Sequence, residues 1–292
     1  MLTHIFGITA YSFFGFLAAI YLIGWASYIF WINKIPGRYL LFTSLLSIFT
    51  FFAGSRLLFG ILYFDLTLQN PSLLFEPRLS NFTLYGGLVS TFFTLKFITE
   101  NGTEKRCFCV VRNALKRLMG ENIGRARFLK IADHIAPHVG LSVAIMRLGC
   151  FFNGCCFGKP TDLPWGMYFA RADSHPLVQM LGSNFITRAL FNLEPVLRHP
   201  TQLYELLVAI LASLAGWWIG KKYRLRGLVA AVFAWVFTLG RLIVFFFRDF
   251  PVASFSSDMI RGPVVYGLCL IYISFWIAQI FKQNKIKIIK TL

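Results

Sequence analysis

The stretch Met146-Arg-Leu-Gly-Cys-Phe-Phe-Asn-Gly-Cys-Cys-Phe-Gly-Lys159 closes an apolar run long enough to cross a bilayer. It places a permanent positive charge, Arg147, inside that run, then three glycines, an asparagine and three of the chain's six cysteines. Hydrocarbon rejects such groups unless a site needs them. The remainder of the chain reads as scaffold that sets this stretch, and a few other arginines, against a lipid headgroup.

Composition supports a membrane setting. Of 292 residues, 57% are hydrophobic and only 14% charged, and Phe alone occurs 33 times. A soluble domain carries roughly 25% charged residues. The net charge of +17 does not indicate nucleic acid, because the basic residues fall in short gaps between apolar runs. Such loops orient a membrane protein and meet anionic lipid. The first seven residues lack a basic n-region and the following apolar run is too long for an h-region, so no secretory signal peptide is expected. The six cysteines do not suggest a secreted disulfide framework.

The expected fold is all-α: a polytopic helical membrane protein with seven transmembrane helices and a small external cap, in one membrane domain. The spans are read at about 5–31, 39–64, 82–99, 131–157, 201–220, 227–248 and 263–281. With the N-terminus outside, the cytoplasmic segments hold 18 Lys and Arg and the external ones 7. Six or eight spans would put the basic tail on the wrong side. Residues 100–130 form a basic cytoplasmic segment, read as an anionic-lipid patch or simply as a topology signal. Residues 158–200, interrupted by five prolines, form the cap.

Arginines at membrane depth are the first candidates for chemistry: Arg56, Arg147 and Arg241. Each costs about 2.5–3.5 kcal/mol at a helix centre. Carboxylates that could pair with them are few, namely Glu205 and the boundary residues Asp133 and Asp249. A guanidinium fork suits a phosphate, so an anionic phospholipid accounts for the excess. For Arg248 the expectation is snorkelling to the interface or pairing with backbone carbonyls. In Arg198-His-Pro-Thr-Gln-Leu-Tyr-Glu205, the glutamate reads as a counter-ion or a polar brace, with the brace preferred. His134 and His138 share a helix face, but no third ligand is suitably placed unless the cysteines supply it, and no metal site is expected. Cys150 and Cys155 are candidate nucleophiles if a thiolate forms beside Arg147. Their spacing alone favours simple packing.

In their order along the chain these motifs resemble the prolipoprotein diacylglyceryl transferases. The likeness rests on Gly-Ser-Arg56-Leu, Tyr85-Gly86-Gly87-Leu-Val, Asp133-His-Ile-Ala-Pro137 and Arg147-Leu-Gly-Cys-Phe-Phe-Asn153-Gly154 with Gly158. It also rests on Arg198-His-Pro-Thr-Gln-Leu-Tyr-Glu205 and Gly240-Arg241-Leu-Ile-Val-Phe-Phe-Phe-Arg248. The resemblance implies a multi-pass enzyme of the bacterial inner membrane, N-terminus periplasmic and C-terminus cytoplasmic. It would move the diacylglyceryl group of phosphatidylglycerol to the lipobox cysteine of a prolipoprotein signal peptide, without a cofactor.

On that resemblance the catalytic residues are Arg147, Arg241 and Tyr85. Arg56, Gly86, Gly87, Asn153, Gly154, Gly158, Arg198 and Glu205 would bind substrate. The chain departs from the family pattern at several positions. Tyr85 replaces a histidine, Cys150 an asparagine, Cys155 and Phe245 glutamates, and Phe14-Gly15 stands where Tyr-Gly is common. The arginines persist and several titratable partners do not. A paralogue with another acceptor, or a phospholipid-binding protein without catalysis, is the alternative.

Overall fold

The computed structural model describes residues 4–5, 8–35, 37–62, 64–74, 84–99, 125–169, 196–249 and 255–291. Its helices are α1 (Ala10–Ile32), α2 (Gly37–Leu62), the short α3 (Phe64–Gln69), α4 (Leu84–Thr99), α5 (Arg125–Asn153), α6 (Thr201–Lys222), α7 (Leu228–Phe245) and α8 (Phe255–Thr291). Two antiparallel pairs of two-residue strands accompany them: β1 (His4–Ile5) with β2 (Ile8–Thr9), and β3 (Met167–Tyr168) with β4 (Leu197–Arg198). The protein is an all-α polytopic membrane protein. Six helices among the described residues are long and apolar enough to cross a bilayer: α1, α2, α5, α6, α7 and α8. The remaining expected span, about 82–99, forms α4, a helix of 16 residues. Most of the cap (170–195) and of the basic segment (100–124) lies outside the described residues.

The chain divides into two compact units. One comprises Met1–Ser27 and Ala132–Leu292, the other Tyr28–Ile131.

In the first unit, α5, α6 and α7 meet through a core of Ala136, Ala144, Ala209, Ala212, Phe233 and Phe237. Small residues let the backbones approach, as lipid-embedded helices require. At Gly140 an added Cβ would lie 2.2 Å from Ser213 Oγ and 2.8 Å from the Ala209 carbonyl oxygen. Pro137 sits inside α5 and removes one helical N–H donor. Its own carbonyl accepts the Ser213 hydroxyl across the helix interface at 2.7 Å. Among the described residues Asp133 does not pair with an arginine. Its two carboxylate oxygens accept the Gly227 and Ala230 N–H groups at 2.6 and 3.0 Å, capping α7 from a neighbouring helix.

In the second unit, α2 packs against α4. An added Cβ at Gly54 would lie 2.6 Å from the Gly86 carbonyl oxygen, and one at Gly87 would lie 2.5 Å from the Phe51 ring. Ser90 donates to the Thr50 carbonyl at 2.6 Å, and Thr91 to the Ser47 carbonyl at 3.3 Å. Outward faces of α1 and α2 carry exposed Phe16, Ile20, Trp31, Phe49 and Ile61, the surface hydrocarbon would cover.

Candidate active site

The site lies in the first unit, where α5, α6 and α7 end or begin. Helix α5 stops at Asn153 because Gly154 takes a left-handed φ of 67°. The Gly154 N–H then bonds the Phe151 carbonyl at 3.0 Å, and the Cys155 N–H bonds the Cys150 carbonyl at 3.1 Å. This pair of bonds is a Schellman cap, which turns the chain sharply back.

The loop after the cap is stitched to the segments that precede α6 and follow α7. Gly158 N–H donates to the His199 carbonyl at 2.8 Å, Lys159 N–H to that of Phe247 at 2.9 Å, and Thr161 N–H to that of Leu197 at 2.9 Å. Gly158 is needed for close approach, since a Cβ there would lie 2.4 Å from the Phe247 carbonyl oxygen. Two fully buried side chains from the first turn of α6 fix the cysteine backbone. Thr201 donates to the Cys156 carbonyl at 2.7 Å and Gln202 to the Cys155 carbonyl at 2.6 Å.

Glu205, only 3% exposed, is the centre of the site. Its Oε2 lies 2.6 Å from Arg147 Nε of α5. Its Oε1 meets Arg241 of α7, and accepts from Arg248 at 3.2 Å. Two expectations are corrected here. Glu205 is the counter-ion and not a mere brace, and Arg248 points to the carboxylate instead of snorkelling away. Among the described residues three guanidinium groups converge on one carboxylate, and burial strengthens their call on any further anion. Arg147 also reaches the Cys150 sulfur at 3.8 Å. Asn153 is buried at the end of α5.

Arg198 does other work. It holds Asp249 at 2.5 Å, donates to the Gly158 carbonyl at 3.3 Å and lies 5.1 Å from the centre of the Phe157 ring. It therefore braces the loop. Among the histidines, which could supply a base for the thiol proton, His138 is far along α5. Nine residues of helix separate it from Arg147, roughly 13 Å of rise. It is held by the Tyr21 hydroxyl at 2.8 Å and stacks on Trp25 at 4.2 Å. His134 is a turn further away. His199 adjoins the site: its Nδ1 bonds the Tyr204 hydroxyl at 3.1 Å and its ring meets Phe247 edge-on at 5.1 Å. Burial, with a smaller contribution from Lys159, lowers its pKa below the ordinary 6.5.

The other expected site residues belong to the second unit. Arg56 is half-buried on α2, and Gly86 and Gly87 are buried where α4 meets α2. Tyr85 opens α4, and its side chain lies outside the described ones. Cys150, Cys155 and Cys156, by contrast, come together, with their sulfurs within 4.8 Å of one another. Phe245, at a position where the family carries glutamate, is buried against Gly262 and Tyr266 of α8.

Fold and site define a multi-pass membrane protein with a buried, arginine-rich cluster at the ends of three helices. The chain belongs to the prolipoprotein diacylglyceryl transferase family, whose model matches residues 1–280. It is 29% identical over 198 residues, 67% of this chain and 59% of the relative, to a phosphatidylglycerol–prolipoprotein diacylglyceryl transferase of Coxiella burnetii. Proteins of the same name from Clostridium tetani and Chromobacterium violaceum are 31% identical over 157 and 172 residues. These matches cover 54% and 58% of this chain, and 55% and 60% of the relatives. The chain thus spans under two thirds of the length of these curated relatives.

Proposed function

We propose that this protein transfers the diacylglyceryl group of phosphatidylglycerol, or of another anionic phospholipid, to the lipobox cysteine of a prolipoprotein. The observation that carries this reading is the convergence of Arg147, Arg241 and Arg248 on the single buried Glu205. A lipid phosphate entering the cluster would meet guanidinium forks already positioned by a carboxylate. As the glycerol C–O bond breaks, charge gathers on the phosphate leaving group, and preorganised cations stabilise that change most. Asn153, Gly154 and Gly158 shape the pocket wall. Resemblance to the family assigns Tyr85 to catalysis and Arg56, Gly86 and Gly87 to substrate binding.

The rest of the scheme follows the charge pattern. It has seven spans within a single membrane domain of the bacterial inner membrane, N-terminus periplasmic and C-terminus cytoplasmic, with residues 158–200 capping the pocket from outside. The second reading is a phospholipid-binding protein without transfer. It is favoured by Tyr85, Cys150, Cys155 and Phe245 standing where family members carry titratable or polar groups. Purified protein incubated with phosphatidylglycerol and a lipobox peptide separates the two. Addition of one diacylglyceryl group to the peptide supports transfer, and bound lipid without turnover supports the second reading.

A further inference from the structure

The three cysteines carry more than the transferase reading uses. The site also gathers three sulfurs in one place. Cys150 is 1% exposed, Cys155 is half-buried and Cys156 is exposed, so the cluster runs from the interior to the surface. Their sulfurs lie within 4.8 Å of one another. A tetrahedral zinc with bonds of about 2.3 Å needs sulfurs about 3.8 Å apart, a gap that small χ1 changes close. The backbone needs no such change. The Schellman cap sets Cys155, a left-handed φ of 62° sets Cys156, and Thr201 and Gln202 hold the carbonyls of both.

Charge points the same way. Arg147 donates toward the Cys150 sulfur at 3.8 Å, so a cationic group adjoins the deepest of the three sulfurs. Three thiolates with zinc(II) carry one net negative charge, and Arg147, which also holds Glu205, lies beside it. No fourth histidine, cysteine or carboxylate joins the cluster among the described residues. Three protein ligands and an open fourth position distinguish reactive zinc sites from closed structural ones.

We propose that Cys150, Cys155 and Cys156 form a three-thiolate zinc site whose fourth position takes the acceptor thiol. The incoming thiol binds as thiolate in place of water, and its proton passes to solvent. Its sulfur then forms the C–S bond to the glycerol carbon while the C–O bond breaks and that electron pair leaves on the phosphate. The cluster would thereby replace a general base for the thiol proton. This role of the open position rests on the transferase reading; the metal site itself does not.

The test uses the full chain in detergent, with Cys107→Ser and Cys109→Ser to remove the other paired cysteines. After incubation with zinc(II) and dialysis against a weak chelator, about one zinc per chain is expected to remain. Adding Cys150→Ser, Cys155→Ser and Cys156→Ser should abolish retention, and Cys156→Ser alone should weaken it about tenfold or more. Cobalt(II) in the same site should show thiolate-to-metal charge-transfer absorption that grows when a one-cysteine peptide is added. Equal zinc in the parent and triple-serine chains, or none in either after full reduction, would overturn the site. Unchanged peptide transfer by the triple-serine chain, or no spectral response to the peptide, would overturn the thiol role. Zinc retention without any transfer would leave the site standing and remove the transferase reading instead.

Discussion

The α5–α6–α7 site and the α2–α4 pair both bury polar groups between membrane helices, but with different currencies. The pair uses glycines and hydroxyls: Gly54, Gly87 and Ser90 bring backbones together, and the Ser90 and Thr91 hydroxyls are satisfied by carbonyls of the facing helix. That arrangement holds two helices in one register and leaves nothing to react. The site instead buries charge, gathering three arginines around Glu205 on elements distant in sequence. Buried charge is a poor way to gain stability and a good way to hold an anion. Small residues therefore mark where this protein is built, and unequal charges mark where it acts.

The strongest way to break that contrast is to remove the shared carboxylate. Glu205→Gln leaves three guanidinium groups crowded without their counter-ion, and a loss of about 3–5 kcal/mol is expected. Unfolding in detergent measures it. Stability within about 1 kcal/mol of the parent would show that the cluster does not depend on this residue. Arg241→Ala should act on chemistry, lowering transfer by about 10²–10³-fold while the protein still inserts. Initial rates of peptide lipidation check this, and Arg147→Ala is expected to match.

The building region gives the opposite profile. Gly87→Ala pushes a methyl group toward Phe51 and Ser55 and should cost about 1–3 kcal/mol by overpacking. Transfer per folded molecule should change little if packing is the residue's whole role. A rate loss of the size expected for Arg241→Ala would instead make Gly87 part of the lipid site. The smallest effect concerns His199, whose folded pKa lies below its unfolded value. The unfolded chain then binds the proton first. Stability is fully present above the ordinary pKa of 6.5 and is lost as pH falls toward the folded value. A pH series of unfolding, flattened by His199→Gln, measures this.

Much of the architecture was legible because hydrocarbon imposes simple rules. Apolar runs of span length became α1, α2, α5, α6, α7 and α8, and the charges interrupting them led to Arg147 and Arg241. Gly154 ends α5 at Asn153, short of the expected span's end near residue 157. What stayed hidden was which helices meet. Nothing local to Glu205 says that Arg147 and Arg241 converge on it, although the scarcity of acidic groups in the spans was a usable signal. Arg248, seven residues beyond Arg241, also lay at a spacing that returns near the same helix face. Cys150 and Cys155 looked mismatched on a regular helix, and only the Schellman turn brings their sulfurs together. Asp133 was read among the candidate arginine partners, yet it caps α7, a use visible only once α5 and α7 are side by side.

The most direct measurement is made in a bacterium depleted of its own diacylglyceryl transferase. This chain and its Arg241→Ala variant are expressed there, and the mass of a reporter prolipoprotein is followed. The account predicts that the parent chain adds one diacylglyceryl group to the lipobox cysteine and that the variant, inserted to the same level, does not. No mass gain with the inserted parent chain, or an equal gain with the variant, would contradict it.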